Sequence, residues 1–194
     1  FVDGIDPETW KSLNESPDRP MVNRVLRGIY PPGSTLKPFM ALAGLELGLR
    51  RPDDAISDAG YYSLPNSRHR FRDWKAGGHG TVDLVKSVAQ SCDTYYYRLA
   101  VDMGVDRMHG YLAQFGFGEK TGIDLKGESS GLLPSREWKQ RRWNKPWYPG
   151  ETVIAGIGQG YHLTTPLQLA TATAMIANGG VHVEPRLVRA VRDP

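Results

Sequence analysis

The stretch YPPGSTLKPF, residues 30–39, joins a stop to a start. Two prolines and a glycine halt the chain, a serine follows, and a lysine stands three residues later at the head of an apolar run. On a helix, positions i and i+3 share a face with Cβ atoms about 5–6 Å apart. Ser34 and Lys37 are therefore expected to meet, hydroxyl to amine. A serine hydroxyl is a poor nucleophile until a neighbouring base takes its proton. Lysine can be that base where its surroundings favour the neutral amine. The start of a helix adds free backbone N–H groups and a positive dipole end where an oxyanion would form. The plain alternative is a serine capping a helix beside a solvated lysine. With eleven serines and eight lysines in the chain, the four-residue pattern alone does not separate the two.

Working outward, STLKPFMALAGLELG (34–48) reads as a helix with Leu36, Phe39, Met40, Ala43 and Leu47 on one stripe. Gly48 and Pro52 mark its end. Residues 1–29 read as an opening loop, and 60–80, aromatic, basic and turn-rich, as a hairpin and loop. Residues 81–90 read as a helix capped by Thr81, 94–104 and 105–116 as two more, and 135–142 as a short capped helix. Residues 117–134 form a glycine-rich connection. TPLQLATATAMIANGG (165–180) is the clearest helix, with Pro166 in its first turn. VHVEPRLVRAV (181–191) alternates weakly, as a strand would.

An apolar content of 40% argues for a globular chain, and 194 residues suffice for one core or a large part of a bigger one. A net charge of +3 is too small to imply nucleic acid. No run of 18 apolar residues appears, and one cysteine excludes an internal disulfide.

A serine–lysine acyl-transfer site needs a second hydroxyl to hand a proton to the leaving amine. Ser-x-Asn/Asp triplets occur at 12–14, 16–18 and 91–93. The first two lie in the loose opening segment. SCD (91–93) lies in a tight break between helices, where a short loop can aim a side chain into a cleft. Ser91 is the candidate relay and Asp93 the residue that holds its loop; the bland reading is that either simply caps the next helix.

RGIYPPGSTLKPF, SCDTYYYRLAVDMGVDR, FGFGEKTGIDL, PSREWKQRRWNKPWYPGET and GIGQGYHLTTPLQLATA follow one another in this order. Together they resemble the transpeptidase domain of class B penicillin-binding proteins, of the rod-elongation type, over essentially the whole chain. The resemblance implies an α+β fold: the helix-rich part of the serine β-lactamase/transpeptidase-like fold, with its central sheet largely missing from this chain. It implies that Ser34 is acylated, that Lys37 is its base, and that Ser91 relays the proton with support from Asp93. Residues 1–194 would then be a partial transpeptidase domain, lacking the preceding strands and the strand that carries Lys-Ser/Thr-Gly. KTG at 120–122 is not that element, because it sits in a glycine-rich turn. The isolated chain is expected to react poorly, or not at all, with a fluorescent penicillin.

The resemblance further implies D,D-transpeptidation of peptidoglycan stem peptides, inhibition by β-lactams, and a glycan polymerase and shape-determining scaffold proteins as partners. The intact protein would be periplasmic, held at the inner membrane by an anchor absent from this chain. A β-lactam sensor or a serine β-lactamase would share Ser-x-x-Lys, but neither is expected to carry the tyrosine-rich and GIGQGY segments together. KQRRWNKPW (139–147) could suit single-stranded nucleic acid; packed tryptophans on a solvated helix are the commoner cause, and no nucleic-acid partner is expected.

Cys92 is placed to point inward between two site residues. With Asp58, Asp73 and His79 it makes a plausible four-ligand set for structural zinc, which would clamp residues 58–79 to the loop of Ser91. The spacing Asp-x14-Asp-x5-His-x12-Cys is no standard finger. A buried cysteine packing as a small hydrophobe is the alternative. The resemblance to elongation-type proteins with a cysteine here implies such a site, and no organic cofactor is expected.

Overall fold

The computed structural model describes residues 2–191. The opening segment is not all loop. Asp6 accepts from the Thr9 N–H and starts α1 (Pro7–Glu15), and Asn23 caps the single turn α2 (Arg24–Arg27). The PPGS entry then forms a 3₁₀ turn, Gly33–Leu36, and only at Lys37 does the chain widen into α3 (Lys37–Glu46). The expected helix is thus split, with Ser34 in its tight part and Lys37 at the first residue of its regular part.

Residues 56–82 form a small lobe of nested antiparallel pairs. The outer pair is β1 (Ile56–Asp58) with β4 (Gly80–Val82), and the inner pair is β2 (Tyr61–Tyr62) with β3 (Phe71–Arg72). Thr81 lies in β4, so it does not cap the next helix; Asp83 does, accepting from Lys86 N–H at the start of α4 (Leu84–Ala89).

Next come α5 (Asp93–Met103) and α6 (Val105–Ala113), separated at Gly104. After the glycine-rich connection follow α7 (Arg136–Trp143), α8 (Pro149–Ala155) and α9 (Pro166–Ala177). The sequence pattern did not announce α8, because seven residues beginning Pro-Gly carry too little periodicity. Residues 181–191 form no strand. The Leu187 and Val188 N–H groups instead donate to the Asp124 carboxylate, both at 2.9 Å.

The core is built around α5. Tyr95, Tyr96, Leu99 and Ala100 are fully enclosed, and α3, α6 and α8 pack round them. Phe39 of α3 meets Phe115 and Phe117 edge-on, with centroids 5.1 and 5.2 Å away. Each such buried ring contributes roughly 1.5–3 kcal/mol. α8 can lie close to α5 because Gly156 has no side chain; a Cβ there would stand 2.4 Å from the Ala100 methyl.

Two short bridges tie the end of the GIGQGYHLTT segment to distant parts of the chain. Leu163 pairs with Leu132, and Thr164 pairs with Tyr30 through two 2.9 Å hydrogen bonds. Thr165 and Gln168 then form a reciprocal cap on α9, and the Gln168 amide also donates to the Ser130 and Glu119 carbonyls. The result is helix-rich, with four short strands among the described residues, as the α+β reading with its main sheet missing expects.

Candidate active site

Ser34, Lys37, Ser91 and Asp93 converge. The Ser91 hydroxyl donates to Ser34 Oγ at 2.9 Å. Lys37, 1% exposed, donates from Nζ to Ser91 Oγ at 3.0 Å, to the Ser91 carbonyl at 2.7 Å and to Asp93 Oδ1 at 2.5 Å. An ammonium has three N–H donors, and here all three are used.

One expectation changes: no hydrogen bond joins Ser34 to Lys37 directly. Ser91 stands between them, because its turn supplies every acceptor that Lys37 reaches. Ser91 has φ +53°, a left-handed value uncommon for a residue with a side chain. That conformation, at the tight break between α4 and α5, lets one residue offer both its carbonyl and its hydroxyl to the lysine. Asp93, the first residue of α5, is also favoured there by the helix dipole. The rejected triplets lie elsewhere: Ser12 and Asn14 are on exposed α1, and Ser16 only accepts from the Asp18 N–H.

Behind the turn, Asp58, Asp73, His79 and Cys92 come together, all buried, with one donor atom of each within 4.8 Å of the others. His79 Nδ1 is 2.8 Å from Asp58 Oδ2 and 3.6 Å from Asp73 Oδ1. The Cys92 thiol lies 3.5 Å from Asp58 Oδ2. Burial opposes ionisation of Asp58, but hydrogen bonds from His79 and Gly60 outweigh it and hold its carboxyl down to about 2. Burial, with Asp58 and Asp73 alongside, pushes the Cys92 thiol up to about 12. The cluster's shortage of positive charge is what a bound cation would relieve. The donor set fits zinc: one thiol, one imidazole and two carboxylates.

Trp74 joins the two sites and was missed by the sequence reading. Its indole N–H lies 3.2 Å from both the Gln90 and Ser91 carbonyls, its backbone N–H donates to Asp93 Oδ2 at 3.3 Å, and its ring meets His79 edge-on. A tryptophan directly after Asp73, in a turn with no hydrophobic pattern, was the available signal. Gly158 has a further structural part. Its carbonyl accepts the Gly33 N–H at 2.8 Å, and a Cβ on it would stand 2.4 Å from the Gly33 oxygen. Lys120–Gly122, the KTG look-alike, lies in irregular backbone and not on a strand.

The model of the penicillin-binding protein transpeptidase domain matches residues 4–193. This chain belongs to that family. It is 52% identical over 190 residues to the peptidoglycan D,D-transpeptidase MrdA of Acinetobacter baumannii, covering 98% of this chain and 28% of the relative. The crystal structure of Pseudomonas aeruginosa PBP2 in complex with WCK 5153 is 50% identical with a TM-score of 0.93, over 96% of this chain and 42% of that one. PBP2 in its complex with MreC from Helicobacter pylori is 36% identical with a TM-score of 0.90, over 98% and 36%. This transpeptidase-domain chain therefore spans less than a third of the curated relative's length.

Proposed function

We propose that this chain carries the acylating centre of a peptidoglycan D,D-transpeptidase. The observation that carries the reading is the hydrogen-bonded line from Lys37 Nζ through Ser91 Oγ to Ser34 Oγ. With an ammonium at Lys37 the line donates outward, lysine to Ser91 to Ser34. With a neutral amine the same three groups reverse and draw the Ser34 proton inward.

Ser34 Oγ then attacks the carbonyl of the penultimate D-alanine of a stem peptide. The tetrahedral intermediate collapses to an acyl-serine, and the terminal D-alanine leaves with a proton delivered outward through Ser91. The amine of a neighbouring stem peptide attacks the acyl-serine, forms the cross-link and restores the Ser34 hydroxyl. As the second residue of the 3₁₀ turn, Ser34 has an N–H with no partner inside that turn, and it is free to face the oxyanion. A β-lactam would acylate Ser34 in the same way. The test is mass spectrometry of the full-length protein after β-lactam exposure. A stable adduct on the peptide containing Ser34, absent in Ser34→Ala, is expected. An adduct elsewhere, or none, would overturn the reading, and rapid hydrolytic loss would point to a β-lactamase.

We further propose that Asp58, Asp73, His79 and Cys92 hold a structural zinc ion. When bound it supplies charge compensation and a cross-link between the β-lobe and the turn bearing Ser91, and no chemistry at the acyl centre. Elemental analysis of untagged, chelator-free protein should find about one zinc per chain; a clearly lower content would end the proposal.

By the same family logic the intact protein works in the periplasm on an inner-membrane anchor, with a glycan polymerase and a shape-determining scaffold of the MreC kind. No helix among the described residues is long and apolar enough to cross a membrane.

A further inference from the structure

A second buried lysine has no task in this chemistry. Lys139 of α7 is 2% exposed, and its ammonium is paired with Glu151 of α8. The rings of Tyr148, Trp147 and Tyr161 close round it, with centroids 4.2, 5.9 and 5.9 Å from Nζ. Replacing a buried ion pair by apolar residues is often neutral or stabilising, so stability alone does not account for it. What an ion pair adds is direction: it fixes where two side chains point, whereas an apolar contact can slide.

The direction matters because of what Glu151 holds. Its Oε2 accepts the Tyr148 N–H at 2.7 Å and so starts α8. Its Oε1 takes both Lys139 and the Tyr161 hydroxyl, the latter at 3.0 Å. The chain leaves this carboxylate through α8, runs through the loop 156–160, and returns to the same carboxylate at Tyr161. Midway along that loop the Gly158 carbonyl receives the N–H of Gly33, the residue directly before Ser34. Three residues past Tyr161, Thr164 is paired to Tyr30. The lead-in to the nucleophile, 30–33, is therefore held at Gly33 by a segment whose own two ends meet at Glu151, and at Tyr30 by Thr164, three residues beyond that segment.

We propose that Lys139, Glu151 and Tyr161 are positioning residues for Ser34, acting through the loop 156–160 and the Gly158–Gly33 hydrogen bond. The kinetic consequence rests on the acyl-transfer reading; the structural consequence does not.

Two measurements on the full-length protein separate them. Hydrogen exchange of the peptide spanning 28–36 reads the Gly33 amide without reference to chemistry. In Tyr161→Phe, which keeps the ring and removes one hydrogen bond, exchange there should rise about fivefold. In Glu151→Gln it should rise more, while peptides from α5 stay as in the wild type. Acylation by a β-lactam, resolved into the non-covalent Kd and the acylation rate constant, should lose rate and not affinity: about fivefold for Tyr161→Phe and about 10²-fold for Glu151→Gln. Lys139→Met should behave like Glu151→Gln, and Lys139→Arg should recover most of the rate. If Glu151→Gln does not fold, Tyr161→Phe still decides. Wild-type exchange at Gly33 in folded variants would overturn the proposal, as would a rise spread equally over α5, or a loss of affinity with the rate unchanged. A wild-type protein that is never acylated would sink the transpeptidase reading, and exchange at Gly33 would still settle this one.

Discussion

Lys37 and Lys139 are alike in almost everything a sequence or a burial figure records. Each is all but fully enclosed, each is paired with a carboxylate, and each has a tyrosine ring within 6 Å of Nζ. They differ in where a proton could go. Lys37 reaches a hydroxyl that reaches a second hydroxyl at the 3₁₀ turn. Lys139 reaches only a carboxylate and the faces of rings, and the one hydroxyl beyond, that of Tyr161, donates back to the same carboxylate oxygen, so its line leads to no nucleophile. A buried lysine becomes chemical through what lies beyond its first partner, and burial and pairing alone make it a fastener. His162 extends the series: it is buried, its Nε2 has no partner, and burial alone draws its imidazole down to about 4. Having neither carboxylate nor hydroxyl, it remains uncharged and packs edge-on against Phe117.

The sharpest way to break this comparison is to make both lysines arginine. Arginine does not give up its proton in proteins, yet it keeps an ion pair and stacks on rings. Lys37→Arg should cost about 10³–10⁴-fold in acylation rate, as expected for loss of a general base together with its relay. Lys139→Arg should cost no more than about tenfold. Equal losses, read by stopped-flow with a reporter β-lactam, would erase the distinction.

Next in size is removal of the fastener. Lys139→Met leaves the partly buried Glu151 carboxylate without its cation, and should destabilise the domain by about 3 kcal/mol in denaturant melts, the low end for a broken buried pair. The double change to an apolar pair should recover much of that stability but not the Gly33 protection. Recovery of both would mean that apolar packing positions the loop as well as charge does.

Chelation probes the partner side. The turn that meets Lys37 is held by the Asp58–Asp73–His79–Cys92 cluster and by Trp74, whereas Glu151 is held by Lys139, Tyr148 and Tyr161, away from that cluster. On the zinc proposal, stripping the metal from protein held at a free level near a hundred times its Kd should remove about 3 kcal/mol and lower the Tm by roughly 5–10 °C. Acylation should slow, while exchange around Lys139 is unchanged. Because the thiol sits near 12 without metal, rebinding should release its proton into weakly buffered solution.

The smallest expected effect is that of His162. Its imidazole titrates at about 4 in the fold against about 6.5 unfolded, so the stability it contributes is present above pH 6.5. That contribution is lost as pH falls from 6.5 toward 4, and should amount to about 2 kcal/mol between pH 7 and pH 5. His162→Phe should remove this slope from melts run across that range.

How much of this was legible can be read position by position. The PPGS stop before an apolar stripe, Pro166 in the first turn of the last long helix and the Ser-x-Asp break at 91–93 are local patterns, and each stands where it was expected. The four candidate zinc ligands are individually ordinary and separated by irregular gaps; their donor types suggested one set, and the family resemblance strengthened it. Trp74, Gly158 and the Glu151–Lys139 pair gave no local sign, because each joins partners between 12 and 125 residues apart. Thr81 and the 181–191 segment misled because a capping residue type and a weak alternation are common without the structure they suggest.

Residue order was enough to single out Ser34, Lys37 and Ser91 as candidates and to indicate the family, since those depend on short-range spacing and on motifs in series. Only the folded chain could reveal that Ser91 intervenes between Ser34 and Lys37, and that one of two buried lysines is wired to a hydroxyl while the other is sealed. Spacing along a backbone sets which side chains can share a face. Which of them touch depends on donors and acceptors that distant segments bring in, and hydrogen bonds form with whatever acceptor arrives at the right distance and angle.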